Sequence, residues 1–159
     1  TIALRMLFTA ATLLALLLSF NASAQRPILT VEGLDKPVSF TLADLKALPA
    51  TEVETETIWT DQSHRFSSVS FKDLMAHLGV ETQGKKITMI ALNDYSIKVE
   101  IDTLIEHNAF IAYAMDGKKM RIRDKGPLWV LYPFSDQPEI NVPPFQAHSI
   151  WQLKTIVVN

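Results

Sequence analysis

Turn-forming residues punctuate this chain so closely that neither a long helix nor a long strand fits between them. Gly33 to Pro37, Pro49, Asp61-Gln62-Ser63, Gly79, Asn93-Asp94, Asp116-Gly117, Gly126-Pro127, Pro133, Pro138 and Pro143-Pro144 each interrupt regular backbone. Between them, runs that alternate or are fully apolar predict strands over 26–32, 51–57, 64–69, 86–92, 95–101, 109–115, 118–122, 128–132 and 149–158. Apolar residues at helical spacing predict short helices over 42–48, 71–78 and 103–107. Thr41 and Asp44 have capping-box spacing before the first, Ser70 and Asp73 before the second, and Asp102 is placed to cap the third. Gly79 suits the C-terminal end of the second helix. Asp116-Gly117 is the strongest hairpin signal, and the prolines within 135–146 predict a loop. Many short strands and a few small helices describe an α+β domain, mixed and β-rich.

The 159 residues hold one domain and a leader. Arg5 precedes an uncharged, mostly apolar run over 6–20, and Ala22-Ser23-Ala24 supplies the small residues of a cleavage site. That run is shorter than the roughly 20 residues a membrane-spanning helix needs. Residues 1–24 are therefore expected to be a cleaved signal peptide, leaving a domain over 25–159 in the periplasm. The net charge is −2, and the leader's one charge, Arg5, makes the remainder more negative still. Nucleic-acid binding, which needs a basic surplus, is not expected. The chain has no cysteine, which removes thiol catalysis, thiolate metal sites and disulfides from its repertoire.

Catalytic signatures are missing as well. No G-x-S-x-G context surrounds a serine, no glycine-rich phosphate loop is present, and the four histidines lack metal-ligand spacing. Chemistry-bearing residues instead fall at the predicted strand ends: Trp59, Thr60 and Asp61, then Asn93, Asp94 and Tyr95, then the stretch R-I-R-D-K-G-P-L-W-V-L-Y-P over 121–133. This last stretch sets Arg121, Arg123 and Lys125 on a turn before a strand carrying Trp129 and Tyr132. Cations, carboxylates and flat aromatics that converged would suit an aromatic, polar or anionic small molecule. Each residue also has a plain structural role open to it: Trp129 and Trp151 as core, Asp94 as a turn residue, Arg121 as a solvated surface charge.

From about Thr30 to Val158 the chain resembles the molybdopterin-binding domain of the sulfite oxidase family. The resemblance rests on I-W-T followed by F-S-S-V-S-F-K-D-L-M, then I-A-L-N-D-Y, then A-Y-A-M-D-G-K-K-M, then D-K-G-P-L-W-V-L-Y-P, which is the most specific. In that family a cysteine before the first inner helix ligates molybdenum, and the matching place here is Trp59-Thr60-Asp61, with no cysteine. A threonine hydroxyl does not replace that soft ligand at neutral pH. The chain is similar in size, leader and GPLW-x-x-YP motif to a small exported branch lacking the cysteine. Proteins of that branch bind a free reduced pterin and control a membrane enzyme of cyclic-di-GMP turnover.

The resemblance implies a pterin site drawn from Trp59, Thr60, Asp61, Asp94, Tyr95, Arg121, Arg123, Lys125, Trp129 and Tyr132. A carboxylate such as Asp94 or Asp61 would accept from the pterin's guanidine-like edge, and an aromatic such as Trp59 or Trp129 would cover its face. The basic residues would meet a polar tail or phosphate. The expected function is binding rather than catalysis: a periplasmic pterin sensor acting on the periplasmic domain of a membrane GGDEF- or EAL-type protein, with no metal site. The rival is a periplasmic oxidoreductase carrying the molybdenum cofactor, and a third class is a structural exported domain without a ligand.

Overall fold

The computed structural model describes residues 25–159, so the expected signal peptide lies outside the described residues. The short apolar runs become two five-stranded sheets. The first contains β1 (Leu29–Glu32), β2 (Val38–Phe40), β5 (Lys86–Ala91), β6 (Ser96–Glu100) and β10 (Leu153–Val158), in the order β2-β1-β10-β5-β6. Its pairs are antiparallel except β1 with β10, which run parallel. The second sheet is antiparallel and contains β3 (Thr51–Thr55), β4 (His64–Ser70), β7 (Phe110–Met115), β8 (Lys118–Lys119) and β9 (Trp129–Leu131). Its order is β3-β4-β7-β8, with β9 also pairing on β7. Helices α1 (Leu42–Ala47), α2 (Phe71–Leu78), α3 (Ile101–Glu106) and α4 (Pro143–Gln146) and two 3-10 turns, at Ile122–Asp124 and Pro138–Ile140, fill the connections. This is the expected α+β class.

Local chemistry sets most element ends. At α1 the Asp44 amide donates to Thr41 Oγ1 at 3.1 Å and the Thr41 amide to Asp44 Oδ2 at 2.8 Å, a reciprocal capping box. Those bonds hold the Asp44 carboxyl below the usual carboxylate range. At α2 the Asp73 amide donates to Ser70 Oγ at 3.0 Å, and Gly79 closes the helix at φ 66°. The third helix differs from expectation. It starts at Ile101, whose side chain is buried, so Asp102 falls inside the first turn. The Asp102 carboxylate instead accepts from the Gly84 amide at 3.0 Å.

Three further differences bear on the site. After the Asp116-Gly117 hairpin the returning strand lasts only through Lys119, because the chain then turns into the 3-10 segment Ile122–Asp124. Pro143 does not keep its segment irregular. It sits in the first turn of α4, where a missing N–H costs nothing and a fixed φ suits the helix. The last strand begins at Leu153 rather than at 149. The preceding residues make a single antiparallel bridge, Trp151 to Trp129, and Gln152 adopts φ 55°. That bridge joins β9 of one sheet to the approach of β10 in the other.

Gly126 earns its place by close approach. A Cβ there would lie 1.9 Å from the Met120 carbonyl oxygen, and the left-handed position in this turn belongs to Lys125, at φ 74°. One apolar cluster draws on both sheets. Leu29, Val31, Met89 and Ile156 come from the first and Phe66, Phe110, Trp129 and Val130 from the second. Trp129 stands edge-on to Phe66 at 5.7 Å between ring centroids.

Candidate functional site

Where the two sheets meet at the Trp129–Trp151 bridge, three connections frame a cavity of about 470 Å³. The loop after β3 supplies Ile58 and Trp59. The turn between β5 and β6 supplies Asn93 and Tyr95, with Ala91 beneath. The segment from α4 toward β10 supplies Pro143, Gln146, Ala147, Ser149, Ile150 and Trp151. The volume is in the range of small-molecule sites, and the wall has their usual character, apolar and aromatic with a few polar groups. A second cleft of about 410 Å³ lies against β3 and has no aromatic ring on its wall.

Each wall has an identifiable cause. Trp59 is held by a threonine turn. Thr57 Oγ1 accepts from the Trp59 amide at 3.1 Å and lies 3.0 Å from Thr60 Oγ1, while Ser135 Oγ accepts from the Glu56 amide at 2.8 Å. Trp59 then stands edge-on to both Trp129 and Trp151, at 6.0 Å each. At the opposite wall Asp94 takes φ 67°, the left-handed turn position that Asp tolerates. Asn93 Oδ1 accepts from the Tyr95 amide at 3.2 Å, and Lys154 Nζ reaches Asp94 Oδ1 at 2.6 Å.

The third wall hangs on a pair, buried Tyr132 and half-buried His148. Tyr132 Oη lies 2.7 Å from His148 Nδ1, and Phe145 packs edge-on to both rings. Burial pushes the Tyr132 phenol well above its ordinary range and holds His148 below its own. Both shifts keep the pair neutral, joined by a hydrogen bond whose direction follows the imidazole tautomer. The Trp129 indole N–H adds a bond to the Ser149 carbonyl at 3.3 Å.

The structure therefore sorts the ten expected site residues. Trp59 and Tyr95 line the cavity. Asp94 flanks it in the turn between Asn93 and Tyr95, exposed and paired with Lys154. Thr60 is beside it with its hydroxyl bonded within its own turn, and Asp61 is exposed on the next position. Trp129 and Tyr132, at 1% and 0% exposure, belong to the core and are not on the cavity wall. They support the wall from behind, because every residue of the run Leu128 to Tyr132 that carries them is buried. Arg121 and Arg123 are exposed on the 3-10 turn and off the wall, and Arg121 Nε bonds Asp124 Oδ2 at 2.5 Å. Lys125 is not on the wall and places its ammonium 5.7 Å from the Trp129 ring and 5.6 Å from the Trp151 ring, a cation on an aromatic pair.

The sequence does not single out Ile58, Gln146 or Ser149: Ile58 reads as the end of a strand, Gln146 as loop and Ser149 as the start of the last strand. Trp151 was placed in a strand, yet it stands at the cavity with 39% exposure. The exposed large apolar residues among those described are Ile58, Leu92, Tyr95, Ile122, Val142 and Trp151. Three line the cavity, and each of the others is next to a lining residue or joined to Gln152 by a hydrogen bond. Ile58, Tyr95 and Trp151 thus gather exposed apolar surface at one place, the kind of concentration that scattered surface residues do not show.

The wall's polar side-chain groups are the amides of Asn93 and Gln146, the hydroxyls of Tyr95 and Ser149 and the indole N–H groups of Trp59 and Trp151. None is a thiolate, a carboxylate or a cation. No group of three or more His, Cys, Asp or Glu among the described residues could hold a metal ion. This donor set fits a flat neutral heterocycle. It does not fit molybdenum that needs a protein thiolate, and it offers a phosphate no cation on the wall.

A family model described as oxidoreductase molybdopterin binding domain matches residues 20–135. Among solved structures, the chain is similar to the crystal structure of the sulfane dehydrogenase SoxCD from Paracoccus pantotrophus, at 18% identity and a TM-score of 0.60. The likeness covers 87% of this chain and 39% of that one, so the chain spans about two fifths of the larger protein's chain. No curated protein matches.

Proposed function

We propose that this chain, which belongs to the oxidoreductase molybdopterin binding domain family, is a pterin-binding sensory protein rather than an enzyme. The observation that carries this reading is the cavity wall. Trp59, Tyr95 and Trp151 offer aromatic faces to a flat ring, amides and hydroxyls offer neutral hydrogen bonds to its edge, and the chain holds no thiolate for a metal. The ligand is a reduced pterin without molybdenum, a part of the cofactor for which the family is described. The exposed apolar residues at the cavity, Ile58, Tyr95 and Trp151, support a protein contact there, where an occupied cavity presents a different surface from an empty one. The partner in this reading is the periplasmic domain of a membrane-bound enzyme of cyclic-di-GMP turnover, met after export and cleavage of residues 1–24.

The family's description and the fold likeness to a sulfane dehydrogenase favour a second reading, a molybdenum-cofactor oxidoreductase. Equilibrium titration of the purified protein with a reduced pterin, and separately with molybdopterin, tests the choice. Saturable binding of the free pterin at micromolar concentration or below is expected. Binding of molybdopterin alone favours the oxidoreductase. Co-purification of the partner's periplasmic domain that depends on added pterin tests the signalling half.

A further inference from the structure

Among the described residues, one buried side-chain polar atom has no hydrogen-bond partner: Ser149 Oγ. Buried hydroxyls in native proteins are almost always paired, and an orphan calls for a reason. Ser149 is 3% exposed and stands on the cavity wall. Its backbone is fixed on both sides: its amide donates to the Gln146 carbonyl at 3.0 Å, and its carbonyl accepts from the Trp129 indole N–H at 3.3 Å. The hydroxyl is thus held at a set place with its donor and acceptor capacity unspent.

Two neighbours on the wall also keep a polar atom in reserve. Asn93 uses Oδ1 on the Tyr95 amide, leaving its NH2 group, and Gln146 uses Nε2 on Asn141 Oδ1 at 3.0 Å, leaving Oε1. These atoms give the wall neutral donors and acceptors alongside the aromatic rings of Trp59 and Trp151.

We infer that Ser149 is the specificity-determining residue of this cavity: its hydroxyl makes the buried hydrogen bond to the polar edge of an uncharged amide- or amidine-bearing ring. The inference rests on the pterin reading and names the residue that carries its recognition. A ligand that lacks a polar edge gains nothing from the hydroxyl and binds more weakly than one that has it, which is how a site built to hydrogen-bond discriminates between analogues.

The inference predicts effects of opposite sign in one variant. Ser149→Ala removes an unsatisfied polar atom from the free protein, so its Tm should be equal to or above that of the wild type. It also removes the bond to the ligand, so its Kd for 6-hydroxymethyl-7,8-dihydropterin should rise about tenfold. A residue with a purely structural role would not separate these readouts. A lower Tm for Ser149→Ala would show that the hydroxyl has its partner within the fold and would overturn the inference. A folded Ser149→Ala protein with wild-type Kd would overturn it too, while the wild type's own binding would leave the pterin reading standing. A wild-type protein that binds neither this pterin nor its tetrahydro form would overturn both.

Discussion

Replacing Trp151 by alanine separates the cavity from the core behind it. Trp151 and Trp129 face each other across a single β-bridge and share the Lys125 ammonium, yet one is 39% exposed and the other 1%. Truncating a fully buried tryptophan costs about 3–5 kcal/mol. Trp151 leaves part of its surface in solvent, so its loss should cost about 2–3 kcal/mol. An unfolding entropy of about 2.1 cal/mol/K per residue converts each kcal/mol into roughly 3.5 °C of Tm for a domain of this size. Trp151→Ala should therefore melt about 7–10 °C below the wild type and Trp129→Ala about 10–17 °C below it. Ligand binding should rank them the other way. Stacking of a ring on an aromatic side chain is worth about 1–3 kcal/mol, so Trp151→Ala should weaken pterin binding roughly 5- to 150-fold while remaining folded. Differential scanning calorimetry and a titration at a temperature well below both melting points give the two numbers. A folded Trp151→Ala protein that binds pterin with wild-type affinity would refute the placement of the ligand in this cavity.

Other substitutions and conditions probe the surroundings. Arg123→Ala should leave Tm within the effect of about 0.5 kcal/mol usual for surface positions and leave pterin affinity unchanged in titration, because Arg123 is exposed on the 3-10 turn and off the cavity wall. His148 is held below its ordinary value of 6.5 by burial, so the unfolded chain takes up that proton first as pH falls. Its contribution to stability should be complete above about pH 6.5 and decline as pH drops through the window below. Urea unfolding at a series of pH values should show the difference between wild type and His148→Asn shrinking across that window.

Much of the fold was legible because its determinants are local. The capping box of Thr41 and Asp44, the Ser70 cap, the Gly79 stop and the Asp116-Gly117 turn each act within a few residues, and each appears where its spacing placed it. The misplacements have long-range or competing causes. Asp102 gave up the cap to a bond with Gly84, eighteen positions away. Pro143 reads equally as a breaker or as the first residue of a helix, and the helix is accompanied by distant contacts of Phe145 and His148 with Tyr132 that its own sequence does not announce.

The site was legible only in part, for the same reason. Trp59 and Tyr95 come from turns flanking strands, where periodicity marks the ends well. The 121–133 stretch advertised cations and aromatics, but a strand buried on both faces took Trp129 and Tyr132 into the core and left Arg121 and Arg123 in solvent. Ser149 carries no pattern at all. What marks it is an unpaired hydroxyl, which exists only once the fold is built.

The central claim, a pterin held without molybdenum, is tested most directly on protein purified from its native host without added ligand. Molybdenum is measured by elemental mass spectrometry, and pterin is measured after denaturation and oxidation to its fluorescent form. The account predicts pterin at a substantial fraction of one per chain and molybdenum at the background of the buffer. Molybdenum stoichiometric with the protein would contradict it and establish the oxidoreductase reading in its place.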